Sequence, residues 1–266
     1  VVDYEAKAVS CRERFMAKII ILGSSYSIPD LTHENAHLAL DGKNESLLID
    51  CASSPLVRLR QAGLVFEKIS DIILTHFHPD HVSGLPLLLM NLWLLGRQNP
   101  LHIHGLDHTL TRVEKMMELF AWSTWPGFFP VFFNRIAAQE MTPVLEKEEW
   151  RIYASPVCHL IPNIGLRIEF PVSGKILVYS SDTEPCQQVV RLAKGADVLL
   201  HEASGASQGH SSASQAGSIA HQAEVKSLYL IHYPTGEFPN GSLIPQAEET
   251  FQGPVSLAED FMQLDF

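Results

Sequence analysis

The sequence lacks three features that would assign it to a class at once. Its longest apolar run, residues 85–95, is interrupted by Pro86 and Asn91 and is shorter than the roughly eighteen residues that a membrane helix needs. Its four cysteines form no Cys-x-x-Cys pair, which argues against a disulfide framework. Charged residues make up only 18% of a chain that is 46% hydrophobic, unlike a disordered protein. The sequence therefore predicts a globular protein that does not cross a membrane.

Positive charge is scarce in the last quarter of the chain. After Lys194 the only basic residue is Lys226, against nine carboxylates, and the net charge of the chain is −11. This balance disfavours a surface that wraps around RNA or DNA. Residues 1–15 contain no apolar core of a signal peptide, so we expect a cytoplasmic location. We interpret residues 1–15 as an N-terminal extension and residues 16–266 as one domain.

Apolar runs of strand length alternate along the chain with amphipathic stretches of helical period. The strand-like runs lie at residues 18–22, 46–49, 71–74, 101–103, 151–157, 164–170, 175–179, 198–200 and 228–231. The helical stretches lie at residues 55–62, 109–121, 183–194 and 213–223. This alternation predicts an α/β fold in which helices cover the outer faces of the sheets. A four-layer αββα sandwich satisfies the pattern.

Three of the thirteen histidines lie within six residues, directly after a predicted strand. His76 and His78 alternate and therefore point the same way, whereas Pro79 turns the chain so that Asp80 and His81 face a second point. Imidazoles and carboxylates are donors that zinc accepts. One loop can thus supply ligands to two metal ions.

The segment from His76 to His81 resembles the H-x-H-x-D-H motif of the metallo-β-lactamase superfamily. The resemblance implies further ligands at the ends of later strands, although Asp182 taken alone is equally suited to cap a helix. It implies one zinc ion on His76, His78 and His159, a second on Asp80, His81 and His232, and a bridging role for Asp182. The same ligands also accept Mn²⁺ or Fe²⁺.

Two later segments narrow the resemblance to the ribonuclease Z-like branch. The residues from His201 to Ser204 are similar to its H-E-A-[ST] motif, and those from Gly209 to Ser211 to its G-H-S motif. The branch implies an αββα metallo-β-lactamase-like sandwich and a phosphodiesterase that attacks with a metal-bridging hydroxide. It further implies the catalytic residues Asp80, which orients the nucleophile, and His210, His201 and Glu202, which protonate the leaving group. Judged on the residues alone, His201 and Glu202 also fit a buried hydrogen-bonded pair.

One departure from that branch bears on the substrate. The transfer-RNA enzymes carry a long arm between the positions of His159 and Asp182, whereas only 22 residues separate them here. We therefore expect a small-molecule or short phosphodiester substrate rather than transfer RNA. The resemblance also allows a homodimer. Two alternatives stay open: hydrolysis of a lactone or thioester at the same centre, and a non-catalytic member that binds nucleic acid or protein.

Two further features, Asp50 and an aromatic segment, are not expected to take part directly in catalysis or metal binding. Asp50 follows a strand-like run, and we expect its carboxylate to orient the metal-binding loop rather than to bind metal. Residues 120–133 hold seven aromatic side chains among prolines and a glycine. This density is typical of core, of a subunit interface or of a lid over an apolar substrate.

Overall fold

The computed structural model describes residues 16–236 and 243–266. Two seven-stranded sheets stack face to face, and helices cover the outer face of each. This is the four-layer αββα sandwich predicted from the alternation of strands and helices. The predicted extension over residues 1–15 lies outside the described residues.

The first sheet comes from the N-terminal half of the chain and gains one strand from the C-terminus. Its strands are β1 (Lys18–Gly23), β2 (His37–Asp41), β3 (Ser46–Ile49), β4 (Ile69–Ile73), β5 (Leu101–Leu106), β6 (Val131–Ile136) and β14 (Gln263–Asp265). They lie in the order β14-β1-β2-β3-β4-β5-β6. Because β14 pairs antiparallel with β1, with Leu264 opposite Ile19, the end of the chain lies beside the first strand.

The second sheet comes from the remaining strands. These are β7 (Thr142–Glu146), β8 (Arg151–Val157), β9 (Asn163–Phe170), β10 (Lys175–Tyr179), β11 (Val198–Glu202), β12 (Ser227–Ile231) and β13 (Val255–Leu257). Their order is β13-β12-β11-β10-β9-β8-β7, and β10, β11, β12 and β13 run parallel. The hairpin of β9 and β10 uses most of the connection between His159 and Asp182, which leaves no room there for an arm.

Each helix buries one apolar stripe of its surface against the outer face of a sheet. On the first sheet these are α1 (Pro55–Gln61), α3 (Leu85–Leu94) and α4 (Asp107–Leu119). The single turn α2 (Pro79–Val82) follows the carboxyl end of β4. On the second sheet the helices are α5 (Gln187–Ala193), α6 (Ala213–Gln222) and α7 (Leu243–Glu248). None of the helices in the described ranges has the length and apolar character to cross a bilayer.

The central core lies between the two sheets. Along β1, Ile19 and Ile21 face the other sheet, whereas Ile20 and Leu22 face the helices. Strands buried on both faces read as continuous apolar runs, which is why these segments were recognisable in the sequence. This double burial fixes the strands rigidly and so fixes the positions of the residues at their ends.

The structure corrects one helix boundary. The stretch 183–194 was predicted to be helical from Thr183, but α5 begins at Gln187. Pro185 restricts the residue before it to extended backbone, so the helix cannot start at Glu184. The residues just before α5 therefore form an irregular loop.

The aromatic segment 120–133 packs on the outer side of the first sheet. Trp122, Trp125 and Phe128 lie against the core formed by that sheet and its helices, and Phe129 is fully part of it. None of these residues lines the cavity that holds the clustered histidines. The geometry therefore argues against the lid. Because Phe120 and Phe132 remain about half exposed, the core and the subunit-interface interpretations both fit the segment.

We expect replacement of one side chain between the sheets to destabilise the fold strongly. Leu166, in the middle of β9, is completely buried in the central core, so Leu166→Ala should lower the free energy of unfolding by about 2–5 kcal/mol. Urea unfolding followed by circular dichroism measures the change. Leu31, which is fully exposed, offers the matched control Leu31→Ala; equal effects of the two substitutions would contradict the packing described.

Candidate metal centre

The predicted ligands all follow the carboxyl ends of strands. His76 follows β4, His159 follows β8, Asp182 follows β10 and His232 follows β12. In the second sheet β10, β11 and β12 run parallel. Strand β8 points the same way, because β9 lies between β8 and β10 and is antiparallel to both. Residues far apart in the sequence therefore meet at one edge of the sandwich.

Three imidazoles and one carboxylate form the first group. The Nδ1 atom of His78 lies 3.0 Å from His76 Nε2 and 3.1 Å from His159 Nε2. Asp182 Oδ2 is 3.8 Å from His76 Nε2 and 4.0 Å from His159 Nε2. All four donor atoms lie within 4.8 Å of one another. This spacing suits ligands of a single ion.

Asp80, His81 and His232 form the second group. Asp80 Oδ2 lies 3.6 Å from His81 Nε2 and 3.5 Å from His232 Nε2. The carboxylate of Asp182 joins this group to the first, since its Oδ2 is 3.5 Å from His81 Nε2. The seven predicted ligands are thus brought together in the two sets that the resemblance implies, with Asp182 between them.

Asp50 holds the loop that carries the first four ligands. Its carboxylate accepts hydrogen bonds from the backbone N–H of Thr75 at 2.8 Å and from His81 Nδ1 at 2.8 Å. The Thr75 hydroxyl donates to Asp50 and lies 3.0 Å from His76 Nδ1, from which it can accept. These bonds point the Nε2 atoms of both rings inward. Asp50 thus lies where the sequence predicts it, as a hydrogen-bond acceptor that orients this loop.

Two other rings are oriented in the same way. His159 Nδ1 donates to the backbone carbonyl of Gly209 at 2.7 Å. His232 Nδ1 lies 2.8 Å from the hydroxyl of Ser204, which in turn donates to the His232 carbonyl. A ligand histidine usually fixes its outer nitrogen by such a bond. Ser204 was part of a recognised motif, but its contact with a ligand 28 residues away had no signal in the sequence.

Two buried atoms at the centre of the cluster have no hydrogen-bond partner: His81 Nε2 and Asp182 Oδ1. Burial of an unpaired polar atom is costly, and a divalent cation between the two atoms would satisfy both. The Nδ1 atom of His78 can donate one proton to a neighbouring ring nitrogen at this distance, whereas a cation could accept the lone pairs of all three rings. The donor set therefore fits a divalent metal ion.

The electrostatics favour a cation at the same place. Burial lowers the pKa of His76 well below its usual value and also lowers the pKa of His159, so both rings are neutral at pH 7 and keep a lone pair for a metal. Burial acts in the same direction on His81, but the carboxylates of Asp182 and Asp50 raise its pKa well above the usual value. Positive charge is thus stabilised between these carboxylates.

The backbone is strained at three points of the centre. Asp50, Ser181 and His232 have φ angles of 63°, 53° and 52°, in the left-handed region that residues other than glycine seldom adopt. Such strain persists only where surrounding contacts impose it, and it concentrates at functional sites. Here it turns the chain at the ends of β3, β10 and β12 so that the side chains face inward.

Glu202 and His210 form a pair at the wall of the site. Buried Glu202 accepts hydrogen bonds from the backbone N–H groups of Thr183, Ser204 and Ser211, and from His210 Nδ1 at 3.0 Å. The bond to Glu202 raises the pKa of His210 and more than offsets the effect of its partial burial. His210 is therefore held in a fixed orientation and tends to keep its proton.

The structure separates His201 from this pair. Successive side chains of a strand point to opposite faces, and because Glu202 faces the cluster, His201 faces the helices. It is wholly buried, its Nδ1 lies 2.8 Å from the Glu202 carbonyl, and it does not line the cavity. Nor does Asp182 cap a helix, because α5 begins five residues later with Cys186 as its N-cap.

A cavity of about 280 Å³ opens over the cluster. Its lining consists of Tyr26, Ser27, His78, Asp80, Asp182, Ser204, His210 and His232. No lysine or arginine is among these lining residues. Tyr26 and Ser27 come from the loop after β1 and carried no signal in the sequence, because ordinary polar residues after a strand are common.

Comparisons with known proteins agree with this geometry. The chain is 26% identical to ribonuclease Z of Methanothermobacter thermautotrophicus over 94% of its length and 97% of that protein. Its fold is similar to Bacillus subtilis YhfI, a metallo-β-lactamase fold protein, with a TM-score of 0.80, 24% identity, and 95% and 100% of the two chains covered. Human tRNase Z, short form, gives a TM-score of 0.75 at 24% identity, with 93% and 98% covered.

The sequence profile of the family described as anti-Pycsar protein Apyc1 matches residues 17–242. That match spans six of the seven strands of each sheet and all seven predicted ligands. The sequence motifs, the four-layer fold and the clustered imidazoles and carboxylates agree with it. The chain belongs to the anti-Pycsar protein Apyc1 family, within the ribonuclease Z-like branch of the metallo-β-lactamase superfamily.

Proposed function

We propose that this protein is a metal-dependent phosphodiesterase that uses two Zn²⁺ ions and acts on a small or short phosphodiester. The observation that carries the proposal is the placement of His210 at the same cavity as two predicted ligand groups joined by Asp182, with its ring centre 5.0 Å from that of His159 and 6.0 Å from that of His232. Ligands for a metal pair and a proton donor are the parts that phosphodiester hydrolysis requires. The similarity to ribonuclease Z, which by its name cleaves RNA, supports the same chemistry.

The ligands divide between the two ions as the distances group them. His76, His78 and His159 would hold one ion, Asp80, His81 and His232 the other, and Asp182 would contact both. When bound, such a pair supplies Lewis acidity and a water whose pKa is lowered toward 7. The mixture of nitrogen and oxygen donors is one that zinc accepts readily.

Two side chains act on protons. The Asp80 carboxylate lies at the cavity within 3.5 Å of His232, where it both holds metal and orients the attacking water by accepting its hydrogen bond. Protonated His210 donates its proton to the leaving oxygen, while Glu202 holds the opposite ring nitrogen. His201 has no part in this step, since it points to the far side of the sheet.

The shape and charge of the cavity favour a small substrate. Its volume of about 280 Å³ lies just below the range of roughly 300–1,000 Å³ of small-molecule pockets. No lysine or arginine of the described residues lines it to track a polynucleotide backbone, and the hairpin of β9 and β10 leaves no room for an arm like that of the transfer-RNA enzymes. The net charge of −11 also repels a long polyanion.

An activity screen tests the substrate class directly. The zinc-loaded protein is incubated with bis-p-nitrophenyl phosphate, cyclic nucleotides, a precursor transfer RNA, a lactone and a thioester. We expect hydrolysis of the small phosphodiesters and little or none of the others. Turnover confined to the lactone or thioester would replace the proposal by a carbonyl hydrolase, and turnover confined to transfer RNA would refute the small-substrate part.

We expect removal of metal to abolish activity and to lower the melting temperature. Without a cation, His81 Nε2 and Asp182 Oδ1 have no partner among the described residues, and the native state loses the stabilisation that metal binding gives it. Chelation followed by differential scanning calorimetry measures the second effect. Zn²⁺ or Mn²⁺ should restore both properties, whereas Ca²⁺, which prefers all-oxygen sites, serves as the control. Unchanged melting and activity after complete metal removal would contradict the site.

The role of His210 depends on the leaving group. With an alkyl phosphodiester, His210→Ala should lower the rate by ~10²–10⁴-fold, the usual loss for a proton donor. With bis-p-nitrophenyl phosphate the loss should be much smaller, because p-nitrophenolate leaves without a proton. His221→Ala, at an exposed position of α6, is the matched control. Equal losses on both substrates, with metal content unchanged, would rule out proton donation.

A further inference from the structure

Asp260 lies in the turn between β13 and β14, outside the cavity, yet it accepts four hydrogen bonds from the other end of the chain. Its Oδ1 accepts from the backbone N–H of Ser24 at 2.9 Å and from the Ser24 hydroxyl at 2.7 Å. Its Oδ2 accepts from the backbone N–H of Glu34 at 2.9 Å and from the Arg58 guanidinium. The carboxylate is only 6% exposed, so both oxygens are desolvated and committed to these partners.

Arg58 of α1 clamps this turn onto the end of β1. Its Nε donates to the carbonyl of Leu22 at 2.8 Å, and its guanidinium lies 4.0 Å from the centre of the Phe261 ring. Phe261 has a φ of 66°, a conformation rare for a bulky residue. Its N–H donates to the Ile21 carbonyl. A strained turn held by a buried ion pair is a built feature rather than a loose chain end.

Ser24 links the turn that contains Asp260 to the metal centre by hydrogen bonds. Its carbonyl accepts a hydrogen bond from the backbone N–H of His232 at 2.8 Å. His232 is itself in the left-handed region and needs such external contacts to stay there. The next residues of the same loop, Tyr26 and Ser27, line the cavity, and Tyr26 N–H donates to the Tyr233 carbonyl at 3.1 Å.

We propose that Asp260 is a positioning residue of the metal centre, which acts through Ser24 to hold His232 and the rim of the cavity. The inference rests on the proposed role of His232 as a metal ligand. Asp260 lies beyond residues 17–242, the range of the family match, so the C-terminal segment adds a part of the centre that the family match does not cover. Loss of the Asp260 carboxylate frees Ser24 and with it the backbone of His232.

The test is metal affinity measured without any substrate. Asp260→Asn keeps the shape of the side chain. It replaces one carboxylate oxygen by an NH₂ group, which would face N–H and O–H groups that now donate hydrogen bonds to that oxygen. We expect Co²⁺ to bind the His232 group of metal-free Asp260→Asn roughly 10–100-fold more weakly, the usual effect of changing a residue that supports a ligand. Titration followed by visible absorbance and by calorimetry should show one weakened and one unchanged binding event.

The chain offers a matched control in the same segment. Asp265→Asn makes the same chemical change five residues on, where the side chain is 60% exposed and forms an ion pair with Lys18 at 3.8 Å. Co²⁺ affinity of this variant should equal that of the wild type. Wild-type affinity in Asp260→Asn would overturn the proposal even if the melting temperature falls, because a merely structural role predicts that result.

A milder variant covers the case in which Asp260→Asn does not fold. Ser24→Ala removes only the 2.7 Å bond from the hydroxyl and keeps the backbone contact. It should weaken the same Co²⁺ binding event by a smaller factor, and wild-type affinity in this variant would then overturn the proposal. A wild-type protein that binds Co²⁺ but cleaves no phosphodiester would contradict the proposed function alone.

Discussion

The structure depends on one electrostatic constraint: buried lone pairs converge at the carboxyl edge of the two sheets. His81 Nε2 and Asp182 Oδ1 have no partner there, and ring nitrogens of the first ligand group face each other across about 3 Å. In water these groups would be solvated separately. Held together in the interior, unpaired polar atoms are costly. A divalent cation between His81 Nε2 and Asp182 Oδ1 would supply the missing interaction.

The rest of the molecule can be understood as the means of holding that arrangement. Strands buried on both faces cannot slide, so the residues that follow them arrive at fixed positions. The outer nitrogens of three rings are hydrogen-bonded to Asp50, to Ser204 and to the carbonyl of Gly209. The inner nitrogens of these rings therefore remain free to face the centre. Left-handed backbone at Asp50 and His232 completes the turn inward. Support extends outward by hydrogen bonds rather than ending at the ligands.

Local patterns predicted the parts of the site that depend on neighbours in the sequence. The cluster from His76 to His81 and the alternation that separates its two directions were both visible, because one strand end and one proline determine them. Alternation also predicts that His201 and Glu202 point to opposite faces of their strand. Which of the two faces the site depends on which side of that strand packs against the other sheet. The sequence offered both as catalytic, and the structure brings only Glu202 to His210.

From the sequence alone came the alternation of strands and helices, the cluster from His76 to His81 and the absence of an arm, because these are properties of contiguous residues. The family resemblance added His159, Asp182 and His232 as predicted ligands. The tertiary structure alone decided how closely the predicted ligands approach one another, which nitrogen of each ring points inward, and that Asp260 lies under Ser24. These depend on contacts between residues as much as 236 positions apart. Such contacts leave no local pattern, since a single carboxylate in a turn looks the same whether it meets solvent or a buried arginine.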